Sequence, residues 1–153
     1  MIDLKFYDEG KAKLQNVDLS MQCIFMSVGE SKEFGEMAHY HEYIELLYGI
    51  NCDIEVWING NIYPFKTGDL IIINSMEAHQ LKFLMNKNDY IVIKFSPQQL
   101  YTSEQSVYEI KYLLPFTLND FSSDRRISAD VIKDTTVPDS IRTIYSEWEE
   151  KSY

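Results

Sequence analysis

The sequence predicts a mainly β domain, an antiparallel barrel or sandwich, with a helical extension at its C-terminal end. Three observations lead there. The first two thirds of the chain are short apolar or alternating runs separated by Asn, Gly and Asp turn signals, the pattern of many short strands in a closed or layered sheet. After Pro97 the apolar residues take up helical spacing instead. All three histidines fall inside two short motifs of the β portion: His39-Tyr40-His41 followed by Glu45, and Gly68-Asp69 followed by an apolar run and His79.

Taken in order, Met21 to Val28 is an apolar run rich in strand formers, and strands follow over His39 to Ile50 and Asp53 to Ile58. Asn59-Gly60-Asn61 predicts a tight reversal, because Asn and Gly take positive φ at little cost. Ile62 to Phe65 returns, Lys66-Thr67-Gly68-Asp69 turns again, and Leu70 to Ile73 is a fully apolar strand. Leu81 to Met85 and Tyr90 to Phe95 pair across the polar turn Asn86-Lys87-Asn88-Asp89. Alternation in Asp53 to Ile58 puts Ile54, Val56 and Ile58 on the core face. Asp53, Glu55 and Trp57 take the outward face, where Trp57 packs beneath another segment.

Past Pro97, Val107, Ile110, Leu113 and Leu114 predict a helix over Glu104 to Leu114, ended by Pro115, and Asn119 to Arg126 reads as a polar loop. The last helix is the best marked. Thr136 or Asp134 caps it, Pro138 and Asp139 suit its first turn, and Ile141, Ile144, Tyr145 and Trp148 fall at i, i+3, i+4 and i+7. Such a stripe either folds back onto the barrel or meets a second subunit, and its aromatic residues favour the second. The chain stops within this helix, which is expected of a protein cut short of its natural end. The division expected is a barrel over 1–97 and a helical extension over 98–153.

Composition narrows the function. At 153 residues and 45% hydrophobic, the chain can bury one sizeable core. Its 14 basic against 24 acidic residues leave a net charge of −10, which repels phosphate backbones. Any action on DNA must therefore run through another segment. The start lacks the basic and apolar regions of an export signal, and no apolar run approaches a membrane span. Cys23 and Cys52 lack CxxC spacing and read as buried thiols of a reducing compartment, hence a cytoplasmic protein.

The histidine motifs mark the site. Residues two apart on a strand share a face, so His39 and His41 lie side by side, about 6.6 Å apart along the backbone. On a straight strand Glu45 would lie about 13 Å further on, so the chain must corner at Glu42-Tyr43-Ile44 for the carboxylate to join them. His79 is expected from a strand across the barrel. Converged, the four side chains are either a hydrogen-bonded polar cluster or a centre of three imidazoles and a carboxylate for Zn, Ni, Fe or Mn.

These same residues carry a resemblance. His39-x-His41 ahead of Glu45-Leu46-Leu47-Tyr48 is followed by the hairpin at Ile58-Asn59-Gly60-Asn61-Ile62-Tyr63. Then Gly68-Asp69-Leu70-Ile71-Ile72-Ile73-Asn74 runs into Glu77-Ala78-His79. The ordered set resembles the N-terminal cupin domain of AraC-type (AraC/XylS) transcriptional regulators. The metal-dependent cupin enzymes usually have proline and glycine where Asn74 and Met76 stand, and asparagine in place of Phe83. Gly35 also precedes His39 by a shorter gap than in the enzyme pattern, and Gly49 follows Glu45 closely. These departures fit a sensor better than an enzyme.

The resemblance implies a cupin-type antiparallel β-barrel (a double-stranded β-helix, or jelly roll) with a C-terminal helical extension, sensing an effector and catalysing nothing. His39, His41, Tyr43, Glu45 and His79 would line its pocket and hold a sugar or other small metabolite. A divalent metal on His39, His41, Glu45 and His79 is an option and not a requirement. Ile141, Ile144, Tyr145 and Trp148 would pair two copies into a homodimer, and DNA would be bound only through a C-terminal helix-turn-helix domain absent from this chain. The alternative is a metal-dependent cupin oxygenase or isomerase using the same four ligands.

Overall fold

The computed structural model describes residues 7–8, 21–31, 38–100 and 124–151. The helix expected over Glu104 to Leu114 lies outside them, as does Gly35. The strands are β1 (Tyr7–Asp8), β2 (Met21–Val28), β3 (His39–Tyr40), β4 (Ile44–Asn51), β5 (Asp53–Ile58), β6 (Asn61–Lys66), β7 (Leu70–Ile73), β8 (His79–Phe83), β9 (Asn88–Phe95) and β10 (Arg126–Ile127). Helices α1 (Ala129–Ile132) and α2 (Val137–Lys151) follow. They assemble as two five-stranded sheets, β1-β3-β8-β5-β6 and β10-β7-β4-β9-β2. Among the described residues every ladder is antiparallel except the short β1–β3 pair.

Side-chain alternation decides what lies between the sheets. In β5, Ile54, Val56 and Ile58 are buried while Asp53, Glu55 and Trp57 are half-buried, as their spacing predicts. They join Leu47, Phe65, Ile71, Ile73, Tyr90 and Val92 in the inner core. The opposite faces of β4, β7 and β9 bear Tyr48, Leu70, Ile91 and Ile93, which form a second apolar cluster with Ile132 and Ile141. This is why β9 is buried on both faces for most of its length.

Local chemistry sets the turns. Asn59 and Gly60 both take positive φ, 46° and 95°, and Ile58 pairs directly with Asn61. That is the two-residue reversal favoured by the right-handed strand twist. Pro64 lies in β6, an edge strand of its sheet, where its missing N–H costs no ladder bond. Gly49 is needed where β4 passes the β6–β7 turn, since a Cβ there would lie 2.4 Å from the Lys66 carbonyl oxygen.

The strand expected over His39 to Ile50 divides in two, because the chain bends at Glu42 and Tyr43 and crosses from one sheet to the other. β9 begins at Asn88, two residues before the expected start. Asn88 belongs to the strand because its buried side chain receives Asp53 N–H and donates to Met85 and Val28 carbonyls.

The stripe on α2 folds back. Ile141 is 4% exposed, and Ile144, Tyr145 and Trp148 pack half-buried against the outer face of the second sheet. Phe25 meets the Tyr145 ring at 6.0 Å, and the Arg142 guanidinium lies 5.5 Å from the centre of the Tyr48 ring. Ile141 is thus buried by its own chain, while Ile144, Tyr145 and Trp148 stay partly exposed. Residues on both sides of 97/98 share one structure, since β10 pairs with β7 and the outer cluster draws on both sides.

Cys23 and Cys52 are buried free thiols. Burial and the charge of Glu149 push Cys23 up to about 11, and burial with Asp69, Asp53 and Asp89 pushes Cys52 up to about 12.

Truncating Ile141 to Ala should cost about 2–4 kcal/mol, the range for a buried aliphatic side chain. Val131→Ala, at a position 66% exposed, should change stability by less than about 0.5 kcal/mol. Urea unfolding of both variants checks this, and equal midpoints would refute the docking of α2.

Candidate metal and ligand centre

The corner at Glu42 and Tyr43 builds the site. β3 brings His39 to one sheet and β4 brings Glu45 to the other, so the two face each other across the interior. His79 pairs directly with His39 on the adjacent strand β8. It thus neighbours His39 within one sheet, and Glu45 is the group that comes from across the barrel. Ring centroids are 4.2 Å apart for His39 and His79, 5.0 Å for His41 and His79, and 6.0 Å for His39 and His41.

Hydrogen bonds orient the imidazoles. His41 Nδ1 is 3.0 Å from the Tyr43 carbonyl and His79 Nδ1 is 2.9 Å from the Glu77 carbonyl. A carbonyl only accepts, so each Nδ1 carries the proton and donates it. Both Nε2 atoms then turn to one carboxylate oxygen, Glu45 Oε2, at 2.8 Å from His41 and 3.4 Å from His79. His79 is fully buried, and its Nε2 makes no hydrogen bond of proper geometry among the described residues. Lys94 Nζ stands 3.6 Å from the same oxygen.

The electrostatics follow from this crowding. Burial pushes the Glu45 carboxyl up, but the His41 hydrogen bond, the close His79 imidazole and the charges of His79 and Lys94 outweigh it and hold it well below the usual carboxylate range. Burial pushes the His79 imidazole down, yet the nearby Glu45 carboxylate and the Glu77 carbonyl raise it overall.

The donor set fits a divalent cation. The nitrogen ligand atoms of His39, His41 and His79 lie within 4.8 Å of one another. Neutral imidazoles donating from Nδ1 present Nε2 lone pairs to an anionic oxygen, which is unfavourable unless a positive charge lies between them. A proton on an imidazole supplies that charge, and so does a metal ion. Backbone carbonyls holding Nδ1–H are the usual outer support of metal-binding histidines.

Beside this cluster is a cavity of about 260 Å³. His39, Glu45, His79, Lys94 and Gln22 line its polar part, and Ile24, Met26, Phe83, Tyr90 and Val92 line much of the rest. Of the residues singled out in the sequence, His39, Glu45 and His79 reach this wall. His41 and Tyr43 do not form part of it. Tyr43 stays at the corner, its ring 6.0 Å from that of His41 and its carbonyl occupied by that imidazole.

Sequence reasoning missed Lys94 and Gln22. The signal available was a polar residue interrupting an otherwise apolar inward face. It also missed the roles of two motif carboxylates. Asp69 accepts from Lys66 N–H, Arg126 Nε and Ala129 N–H, tying α1 to the β6–β7 turn. Glu77 accepts from Asn74 N–H, and Arg125 Nη2 donates to it at 2.6 Å in a buried ion pair. The extension thus grips the loop whose carbonyl orients His79.

Residues 25–91 match the Cupin_2 family, described as the cupin domain. With the two facing antiparallel sheets and the helices after them, the fold is of cupin type. No curated protein matches the sequence. Among solved structures, an RmlC-like cupin from Shewanella frigidimarina is 15% identical, covering 49% of this chain and 65% of that one with a TM-score of 0.44. A mutant of Bacillus subtilis oxalate decarboxylase is 19% identical, covering 58% and 23% with a TM-score of 0.42. The Clostridium difficile EutQ protein is 20% identical, covering 50% and 56% with a TM-score of 0.42. The chain thus spans less than two thirds of the length of each. No helix among the described residues is long and apolar enough to cross a membrane.

Met76 carries a local strain. Its φ is +66°, in the left-handed region, and its side chain is 52% exposed. The tight turn into His79 requires this conformation, with Met76 N–H donating to the His41 carbonyl at 2.8 Å. Met76→Gly should therefore stabilise the fold by about 0.5–1 kcal/mol, since relief of the left-handed penalty outweighs the added freedom of the unfolded chain. Denaturant unfolding reads this directly, and a destabilised glycine variant would contradict it.

Proposed function

We propose that this chain is the effector-sensing domain of an AraC-type transcriptional regulator. It binds a small molecule in the cupin cavity and has no catalysis of its own. The observation that carries the reading is the convergence of His39, His79 and Glu45 on one part of an interior cavity whose remaining wall is largely apolar. That is the make-up of a small-molecule site, with a few placed polar groups fixing orientation. The match of its motifs, in order, to the sensor cupins supports the finer assignment. So does its acidic balance, which leaves DNA contact to another segment.

In this reading His39, His41, His79 and Glu45 hold a divalent ion that anchors the effector. A bound ion supplies a Lewis-acidic contact for an effector oxygen. His41 acts from behind the wall, drawing Glu45 into place. The Arg125–Glu77 pair offers a route from the centre to α1 and α2, since Glu77 both orients His79 and takes the Arg125 charge. Effector binding would favour one placement of these helices over another.

A metal-dependent cupin enzyme is the second reading, favoured by the same turn of two Nε2 atoms toward one carboxylate oxygen. A search for substrate turnover by metal-loaded protein separates the two.

Protein purified without an affinity tag and titrated with Zn, Ni, Mn or ferrous ion should take up one ion per chain and melt at a higher temperature. His79→Ala should lower metal affinity at least tenfold, the least expected for loss of one ligand given the effect of lesser outer-shell changes. A wild-type protein that takes up none of the four ions would refute the anchored centre. Failure of any sugar, aromatic compound or metabolite to raise the melting temperature would refute the sensor.

A further inference from the structure

The segment that leads into the helices straps one strand at both of its ends. Asp69 precedes β7, and Glu77 lies in the turn that follows it. At the first end Asp69 accepts from Arg126 Nε at 2.9 Å and from Ala129 N–H at 2.8 Å. Along the strand, Arg126 pairs with Ile71, and the Arg125 carbonyl accepts from Ile72 N–H at 2.9 Å. At the other end Arg125 Nη2 donates to Glu77 Oε1 at 2.6 Å, with both side chains buried. β7 in turn pairs with β4, where Ile73 stands directly opposite Glu45.

Glu77 joins this strap to the histidine centre. Its Oε2 accepts from Asn74 N–H at 2.8 Å and closes the turn on itself. Its Oε1 takes Arg125, with Asn59 Nδ2 at 3.4 Å. Its backbone carbonyl accepts from His79 Nδ1–H at 2.9 Å. The Asn59 side chain also fixes the next residue, accepting from Ala78 N–H at 3.1 Å.

A buried carboxylate held only by amide donors would keep an unbalanced charge, and the guanidinium supplies the balance. Without it the carboxylate gains by turning toward water or a proton, and the turn that it closes opens with it. The carbonyl on His79 Nδ1 then shifts, and Nε2 no longer points to where the other ligand atoms converge. Metal-binding histidines depend on such outer support for their orientation.

We infer that Arg125 is a positioning residue of the histidine centre, holding the His79 imidazole in its ligating orientation through Glu77. The extension thereby sets how tightly the centre binds, and by reciprocity an ion on His79 tightens the strap. This deepens the reading of an anchored ion and rests on it.

Arg125 makes contacts beyond Glu77, so a cycle of variants is needed to isolate this pair. The test uses the full chain and zinc alone, with calorimetric titration and nuclear magnetic resonance of the nitrogen-labelled His79 ring. Arg125→Met should weaken zinc binding about tenfold, the low end for loss of an outer support, and should lose the hydrogen-bonded Nδ1 proton signal. Arg125→Lys should recover part of both. In a Glu77→Gln background Arg125→Met should cost little more. Ile141→Ala, which destabilises the fold away from Glu77, should keep both the affinity and the signal. Where Arg125→Met does not fold, the same cycle run with Arg125→Lys decides.

Undiminished zinc binding and an intact Nδ1 signal in Arg125→Met would overturn the assignment and leave the centre standing. Equal losses from Arg125→Met in the Glu77 and Gln backgrounds would overturn it too, since Arg125 would then act through another contact. So would an equal loss in Ile141→Ala, which would mark a general loosening. If the wild-type protein takes up no zinc, the anchored ion falls, and the Nδ1 signal alone decides whether Arg125 positions His79.

Discussion

The structure depends on one buried carboxylate, Glu45. It sits 5% exposed between two sheets, with the Nε2 atoms of His41 and His79 and the ammonium of Lys94 directed at a single oxygen. An uncompensated carboxylate in such a place would cost several kcal/mol. Three cationic or cation-capable groups around it turn that cost into an organising force. The imidazoles cannot relax away, because backbone carbonyls hold their far nitrogens. The result is a preformed set of donors whose chemistry suits either protons or a metal ion.

The surrounding chain serves this arrangement. The corner at Glu42 and Tyr43 exists so that His39 and Glu45, only six positions apart, can lie on opposing sheets. The strained turn at Met76 brings the loop back under His41 before His79 enters its strand. Asp69 and Glu77 accept from the residues that begin the C-terminal helices, so the extension closes the barrel and supports its site together. The outer apolar cluster then seats α2 on the back of the strands that form the cavity wall.

Much of this was legible in the sequence, because it follows from local rules. Alternation in Asp53–Ile58, the Asn59-Gly60 reversal and the helical stripe after Pro138 each depend on a few neighbouring residues. So did the corner between His41 and Glu45, which follows from strand geometry once the carboxylate is to join the histidines. Pairing across the sheets was not legible. Nothing local says that His79 lies beside His39 or that Lys94 stands between Gln22 and Glu45. Nor does periodicity say what an apolar stripe meets, and α2 found its own sheet. Nearness in sequence to the histidines does not say which way Tyr43 turns, and the corner holds it outside the cavity wall.

The most direct test of the centre is X-ray absorption spectroscopy of the protein loaded with one equivalent of zinc. The account predicts a first shell of about four nitrogen and oxygen ligands at about 2.0–2.1 Å. The outer-shell scattering should be that of three imidazole rings, falling to two in His39→Ala. A shell of oxygen ligands alone, with no imidazole scattering, would contradict the claim that these side chains converge as one binding centre.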